Sequence, residues 1–178
     1  VTKRDEVLVG FREKSNHFIT DVSVCPVLDE RVERLLPLLR GLIRSLSLYR
    51  SLPQIEVAAG DSEVALVFRN MAPLTEDDHK ALVEFGKTQQ LQIYLQPKGP
   101  STVHMIWPTL GKERLSYRIE DFDLNMQFHP MDFTQVNANI NAKMVSRAIE
   151  WLDLTPQDRV LDLFCGLGNF TLPLARRA

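Results

Sequence analysis

The sequence predicts an α+β domain followed by the opening of an α/β domain, with the change near residue 130. Three observations lead there. Short apolar runs alternate with amphipathic helical spacing through the first two thirds of the chain. A His129-Pro130 break follows, and near the end Val160-Leu161-Asp162-Leu163-Phe164 runs into a glycine turn and a further helix. The chain therefore divides into 1–130, the α+β unit, and 131–178, the truncated first part of a larger α/β unit.

The first unit opens with apolar runs at Val7 to Arg12 and Phe18 to Val24 around the polar turn Glu13-Lys14-Ser15-Asn16, a hairpin pattern. After Cys25-Pro26, Val32, Leu35, Leu36, Leu39, Ile43 and Leu46 recur at helical spacing between Asp29 and Tyr49. Pro37 should kink or restart that helix, because it lacks a backbone donor. Ile55 to Ala59 and Val64 to Phe68 read as strands joined across Gly60-Asp61. Thr75-Glu76-Asp77-Asp78 reads as a capped helix start, with the helix reaching about Gln89 before a strand at Leu91 to Leu95. The order ββαβ suits one sheet with a face against helices. Pro97 to Gly111, rich in Pro and Gly around Val103 to Trp107, is expected to be a surface excursion, and Leu115 to Ile119 with Phe122 to Phe128 a second hairpin.

In the second unit, a helix from about Asn137 presents Ile140, Met144, Val145, Ala148, Ile149 and Leu152 on one side and stops before Thr155-Pro156. Val160 to Phe164 suits a buried parallel strand, Cys165 to Asn169 a tight turn, and Phe170 to Arg177 a helix in which Pro173 falls within the first turn or so.

Composition agrees with a folded chain. The 178 residues are 44% hydrophobic and 25% charged, near the averages for globular proteins. A net charge of -2 and a pI of about 6.1 supply no global basic footprint, which counts against an RNA partner. No run of about 18 apolar residues is present, and the charged opening Val1 to Glu6 lacks the core of a signal peptide, so a cytoplasmic location away from membranes is expected. Val1 stands where an initiator Met is absent, which reads as an internal stretch of a longer protein. Cys25 and Cys165 are too few for a disulfide framework and too far apart in sequence for a metal site of their own.

Chemistry concentrates in the glycine turn. Gly166 and Gly168 lack a Cβ, so the backbone can take unusual dihedrals and a ligand can lie against it, while a helix start supplies free N–H donors. A dinucleotide fingerprint needs a third glycine where this chain has Thr171, which disfavours pyrophosphate binding. A structural glycine turn in some other α/β protein is the plain alternative.

Taken together, Phe133-Thr-Gln135-Val-Asn137, Trp151-Leu-Asp153 and the run Val160 to Ala175, supported by Val22-Ser-Val-Cys25-Pro26-Val-Leu28, closely resemble the RNA uracil-C5 methyltransferases, most of all those acting on 23S rRNA. The resemblance covers most of the chain and is strongest from Phe128 to Ala175. It implies a central α+β domain and the start of a Rossmann-like, S-adenosylmethionine-dependent methyltransferase domain, in a protein that also carries an RNA-binding β-barrel and a [4Fe-4S] cluster. By motif position it implies cofactor contacts at Gln135, Phe164, Gly166, Gly168 and Asn169, with 23S rRNA as partner and no protein partner evident. Read without it, Gln135 is a polar helix-entry residue, Phe164 a core aromatic and Asn169 an N-cap.

The resemblance also makes Cys25 the last of four cluster ligands, the other three lying upstream of Val1; by itself Cys25 reads as a buried, apolar-like cysteine. In the family the nucleophile is a Cys within Ser-Cys-Asn-Pro, a segment these 178 residues do not contain, so no catalytic residue is assigned here and Cys165 is read as a small packing residue. The acid expected to hold the ribose, about 20 residues after the turn, falls past Ala178. His17, His79, His104 and His129 show no metal-ligand spacing. Lys3, Arg4, Arg12 and Lys14 read as a solvated hairpin face rather than a phosphate contact. Two competing readings are a nonenzymatic RNA-binding module built on Val7 to Leu95 and a nicotinamide-dependent dehydrogenase, the latter disfavoured by Thr171.

Overall fold

A computed structural model describes residues 2–3, 6–16, 18–111 and 113–178; Arg4 and His17, considered above, lie outside them. The chain forms two compact units, Val1–Glu113 and Arg114–Ala178.

The first unit begins with a short ribbon of β1 (Thr2–Lys3) and β2 (Glu6–Val7) and a hairpin of β3 (Gly10–Arg12) and β4 (Ile19–Asp21), both antiparallel. The expected long helix is two: α1 (Glu30–Glu33) and α2 (Leu36–Ser45). Pro37 sits in the first turn of α2, where its missing donor is harmless, so the proline restarts the helix rather than kinking it. Arg31 braces α1 against a neighbouring turn. Its guanidinium is held by Asp29 at 2.7 Å and donates to the carbonyls of Gly60 and Asp61 at 2.7 and 3.2 Å.

Those carbonyls belong to the turn between β5 (Gln54–Ala59) and β6 (Val64–Arg69). From β6 the chain crosses through α3 (Glu76–Gln89) to β7 (Gln92–Gln96), parallel to β6, and returns as β8 (His104–Trp107), giving the order β5-β6-β7-β8. Central β6 is buried from Val64 through Phe68, which explains a run that does not alternate. Leu66, Phe68, Ile93 and Leu95 pack with Leu35, Leu39 and Ile43 of the helical layer and Leu82 of α3. The segment read as a surface excursion thus supplies the fourth strand: Pro and Gly on both sides signal loop, but pairing with β7 decides the outcome.

The second unit pairs β9 (Leu115–Ile119) with β10 (Leu124–Phe128) in full antiparallel register. The hairpin therefore belongs with the residues that follow it. Helix α4 (Ala138–Leu152), capped by the Asn137 side chain, buries Val145 and Ile149 against Ile119, Phe122 and Met126. Its buried row is Asn141, Val145 and Ile149, while Ile140, Met144 and Leu152 of the expected face are exposed. No helix among the described residues is long and apolar enough to cross a membrane.

Candidate cofactor-binding site

The segment expected to be a strand, Val160 to Phe164, is irregular and belongs to no sheet. A strand exists by pairing, and no described strand lies beside this one. The expected helix Phe170 to Arg177 contracts to α5 (Thr171–Leu174), with Phe170 rather than Asn169 at its N-cap. Pro173 is buried within that single turn.

Between them lies the glycine turn, closed by the Gly168 N–H donating to the Cys165 carbonyl at 2.9 Å. Gly166 and Gly168 take φ of +56° and +85°, the left-handed region in which a Cβ is strained. A Cβ built on Gly166 would meet nothing within 4 Å, so its surface is open to a ligand. Phe164 also has positive φ, +61°, an outlier for a bulky side chain, and its ring is fully exposed instead of buried in a core. Such conformations persist only where surrounding structure enforces them, and they gather at ligand sites.

Two ties do the enforcing. The Thr171 hydroxyl donates to the Asp162 carboxylate across the turn at 2.5 Å. The residue standing in the third glycine position of a dinucleotide fingerprint thus has a local partner of its own. Asn169 makes the second tie, in a reciprocal amide pair with Asn141 at 3.0 and 2.8 Å, and its Oδ1 also accepts from the Tyr117 hydroxyl at 3.1 Å. Burial raises the Tyr117 phenol above its ordinary pKa.

Of the candidate residues, the structure places Phe164, Gly166, Gly168 and Asn169 in one turn; Gln135 is exposed in the segment before α4. Cys165, expected to be a packing residue, is exposed, because the turn that carries it lies open to solvent. Tyr117 and Asn141 were not singled out by the sequence. The available signal was positional: Asn141 precedes Val145 and Ile149 by one and two helical turns, and a polar residue in an apolar row needs a buried partner.

In the first unit, Cys25 is buried at the entry to α1. Its backbone N–H donates to the Glu33 carboxylate at 2.6 Å, and its carbonyl accepts from the Leu28 N–H at 3.0 Å. The only other cysteine is Cys165, and among the described residues no three His, Cys, Asp or Glu side chains gather as a metal site. The chain's own residues therefore do not make a four-thiolate cluster site. The glycine turn does fit an adenosyl-type ligand, since the open backbone at Gly166 and the exposed Phe164 ring offer close approach and an aromatic face.

Comparison with known proteins identifies the family. The family model described as tRNA (Uracil-5-)-methyltransferase matches residues 4–178. The 23S rRNA (uracil(1939)-C(5))-methyltransferase RlmD of Hahella chejuensis is 58% identical over 100% of the chain. Proteins of the same name from Alcanivorax borkumensis and Legionella pneumophila are 50% and 48% identical over 100% and 99% of it. The chain spans about 40% of the length of these relatives. The crystal structure of the Pyrococcus abyssi tRNA (uracil-54, C5)-methyltransferase in complex with S-adenosyl-L-homocysteine superposes with a TM-score of 0.68 at 22% identity, covering 95% of this chain and 43% of that one, a likeness of fold. With the family model matched almost from end to end, the chain belongs to the tRNA (uracil-5-)-methyltransferase family.

Proposed function

We propose that the chain is part of a cytoplasmic 23S rRNA uracil-C5 methyltransferase that takes its methyl group from S-adenosylmethionine. In this reading the central α+β domain is followed by the opening of the Rossmann-like catalytic domain, with the family boundary expected near residue 130 and the hairpin before it packing with the residues that follow. The observation that carries it is whole-chain identity of 48–58% to relatives bearing that name.

The cofactor supplies an electrophilic methyl group. The roles of the chain are to bind and orient: Gly166 and Gly168 give backbone surface without Cβ atoms, Phe164 an aromatic face, and Gln135 and Asn169 amides for polar cofactor atoms. On the substrate, a Cys thiolate from the Ser-Cys-Asn-Pro segment of the family would add to C6 of uracil, so that C5 gains the electron density to attack the methyl carbon. A base then removes the C5 proton and the thiolate is eliminated, dividing one difficult substitution into easier steps. Neither the nucleophile nor the base is assigned to a residue of this chain.

Cys25 as one ligand of a [4Fe-4S] cluster rests on the family resemblance. Its support is a buried position with the backbone fixed by Glu33, and no catalytic step is routed through it. Absorbance of the full-length protein should show the cluster and lose it on Cys25→Ser.

The decisive experiment incubates the full-length protein with methyl-labelled S-adenosylmethionine and 23S rRNA transcript. Label should appear as 5-methyluridine at one site. Label confined to tRNA, or to a base other than uracil, would overturn the reading.

A further inference from the structure

Asn169 is oriented by its neighbours before any ligand arrives. Its Oδ1 accepts two hydrogen bonds, from Tyr117 Oη on β9 and from Asn141 Nδ2 on α4, and its Nδ2 donates to Asn141 Oδ1. Asn141 is only 5% exposed, so the pair is shielded and holds its geometry. An amide oxygen has two lone pairs and an amide nitrogen two hydrogens. With both lone pairs engaged and one hydrogen used, Asn169 meets a ligand as a donor through one remaining N–H.

We propose that Asn141 and Tyr117 are positioning residues for cofactor binding: they fix the Asn169 amide so that it presents one N–H donor to an acceptor oxygen of the cofactor, a carboxylate or ribose hydroxyl. This rests on the reading of Asn169 as a cofactor contact. Without Asn141 the amide is free to rotate and to turn its oxygen toward the same acceptor, which repels it. Without the Tyr117 hydroxyl one of the two bonds that distinguish oxygen from nitrogen is lost. Neither residue has to touch the cofactor.

The test measures S-adenosylhomocysteine binding to the full-length protein by calorimetry, with methylation kinetics alongside. Asn141→Ala should bind about tenfold more weakly, and Tyr117→Phe roughly threefold, the loss expected for one or two hydrogen bonds. For both, kcat at saturating cofactor should stay within about twofold, the loss falling on KM. The double variant Asn141→Ala with Asn169→Ala should bind no more weakly than Asn169→Ala alone, because Asn141 acts through Asn169. Unchanged affinity in Asn141→Ala, or losses that add in the double variant, would overturn the proposal. If Asn141→Ala does not fold, the cycle of Tyr117→Phe with Asn169→Ala decides by the same criterion. Failure of the wild-type protein to bind S-adenosylhomocysteine would remove the functional reading and this proposal together, and that result involves no variant.

Discussion

The Asp78 carboxylate at the start of α3 binds Ser47, thirty-one residues earlier, through both backbone and side chain: it accepts from the Ser47 N–H at 2.7 Å and from the Ser47 hydroxyl at 2.6 Å. The same carboxylate accepts from the N–H and hydroxyl of Thr75, completing a capping box. One acid thus caps its own helix and ties the end of α2 to it.

Burial raises the Asp78 pKa, but the hydrogen bonds from Ser47 and Thr75 outweigh it and hold the carboxyl at about 2, below its ordinary 3.8. A depressed folded-state pKa stabilises the fold above the unfolded value, and the benefit is lost as pH falls. Asp78 should contribute about 2 kcal/mol at neutral pH, disappearing between roughly pH 4 and pH 2. Hydrogen exchange of the α3 amides in the full-length protein, followed against pH, checks this. Asp78→Asn should flatten that part of the profile.

Gly86 brings α3 against the sheet. A Cβ there would lie 2.6 Å from Ile93 Cγ1 and 2.7 Å from Trp107 Cδ1. Gly86→Ala should therefore destabilise by about 1–3 kcal/mol through overpacking, against the roughly 1 kcal/mol that alanine ordinarily adds within a helix. Denaturant unfolding monitored by Trp107 fluorescence would show it; a stabilised variant would contradict the packing described.

At the other end of α3, Gln90 takes φ +57° and ψ +47° while its N–H caps the carbonyls of Gly86 and Lys87. Glycine occupies that conformation without Cβ strain, so Gln90→Gly should stabilise by about 1 kcal/mol. Protection of the last turn of α3 from hydrogen exchange should rise accordingly.

Thr171→Val keeps the shape of the side chain and deletes the hydroxyl that binds Asp162. In the full-length protein, S-adenosylhomocysteine should bind roughly threefold to tenfold more weakly, with Thr171→Ser close to wild type. Equal affinity in all three proteins would show that this tie does not shape the turn.

Where the sequence was informative, short-range chemistry was sufficient. Thr75 and Asp78 mark a helix start through a local capping pattern, and the uninterrupted apolar run of β6 marks a strand buried on both faces. Where it misled, a distant partner decided. His104 to Trp107 is a strand because β7 lies beside it, despite flanking prolines and glycines; Val160 to Phe164 has strand composition but no strand beside it among the described residues. The face of α4 is legible in part: Val145 and Ile149 are buried as expected, whereas Ile140 and Met144 are exposed and the buried row begins with the polar Asn141. Within the candidate site, the glycine turn was legible from Gly166 and Gly168, but the partners that hold it were not. Tyr117 lies 52 residues before Asn169 and Asn141 lies 28 before it, beyond the reach of any local motif.

The two ties at the glycine turn also determine when conformational freedom is lost. A floppy segment of this kind would have to be frozen as a ligand arrived, at roughly 1–2 kcal/mol of backbone entropy per residue. With Thr171 fastened to Asp162 on one side and Asn169 to Asn141 on the other, that freedom is surrendered during folding. More of the contact energy at Gly166 and Phe164 is then available as affinity, and the turn behaves as a rigid receptor instead of one moulded by its ligand.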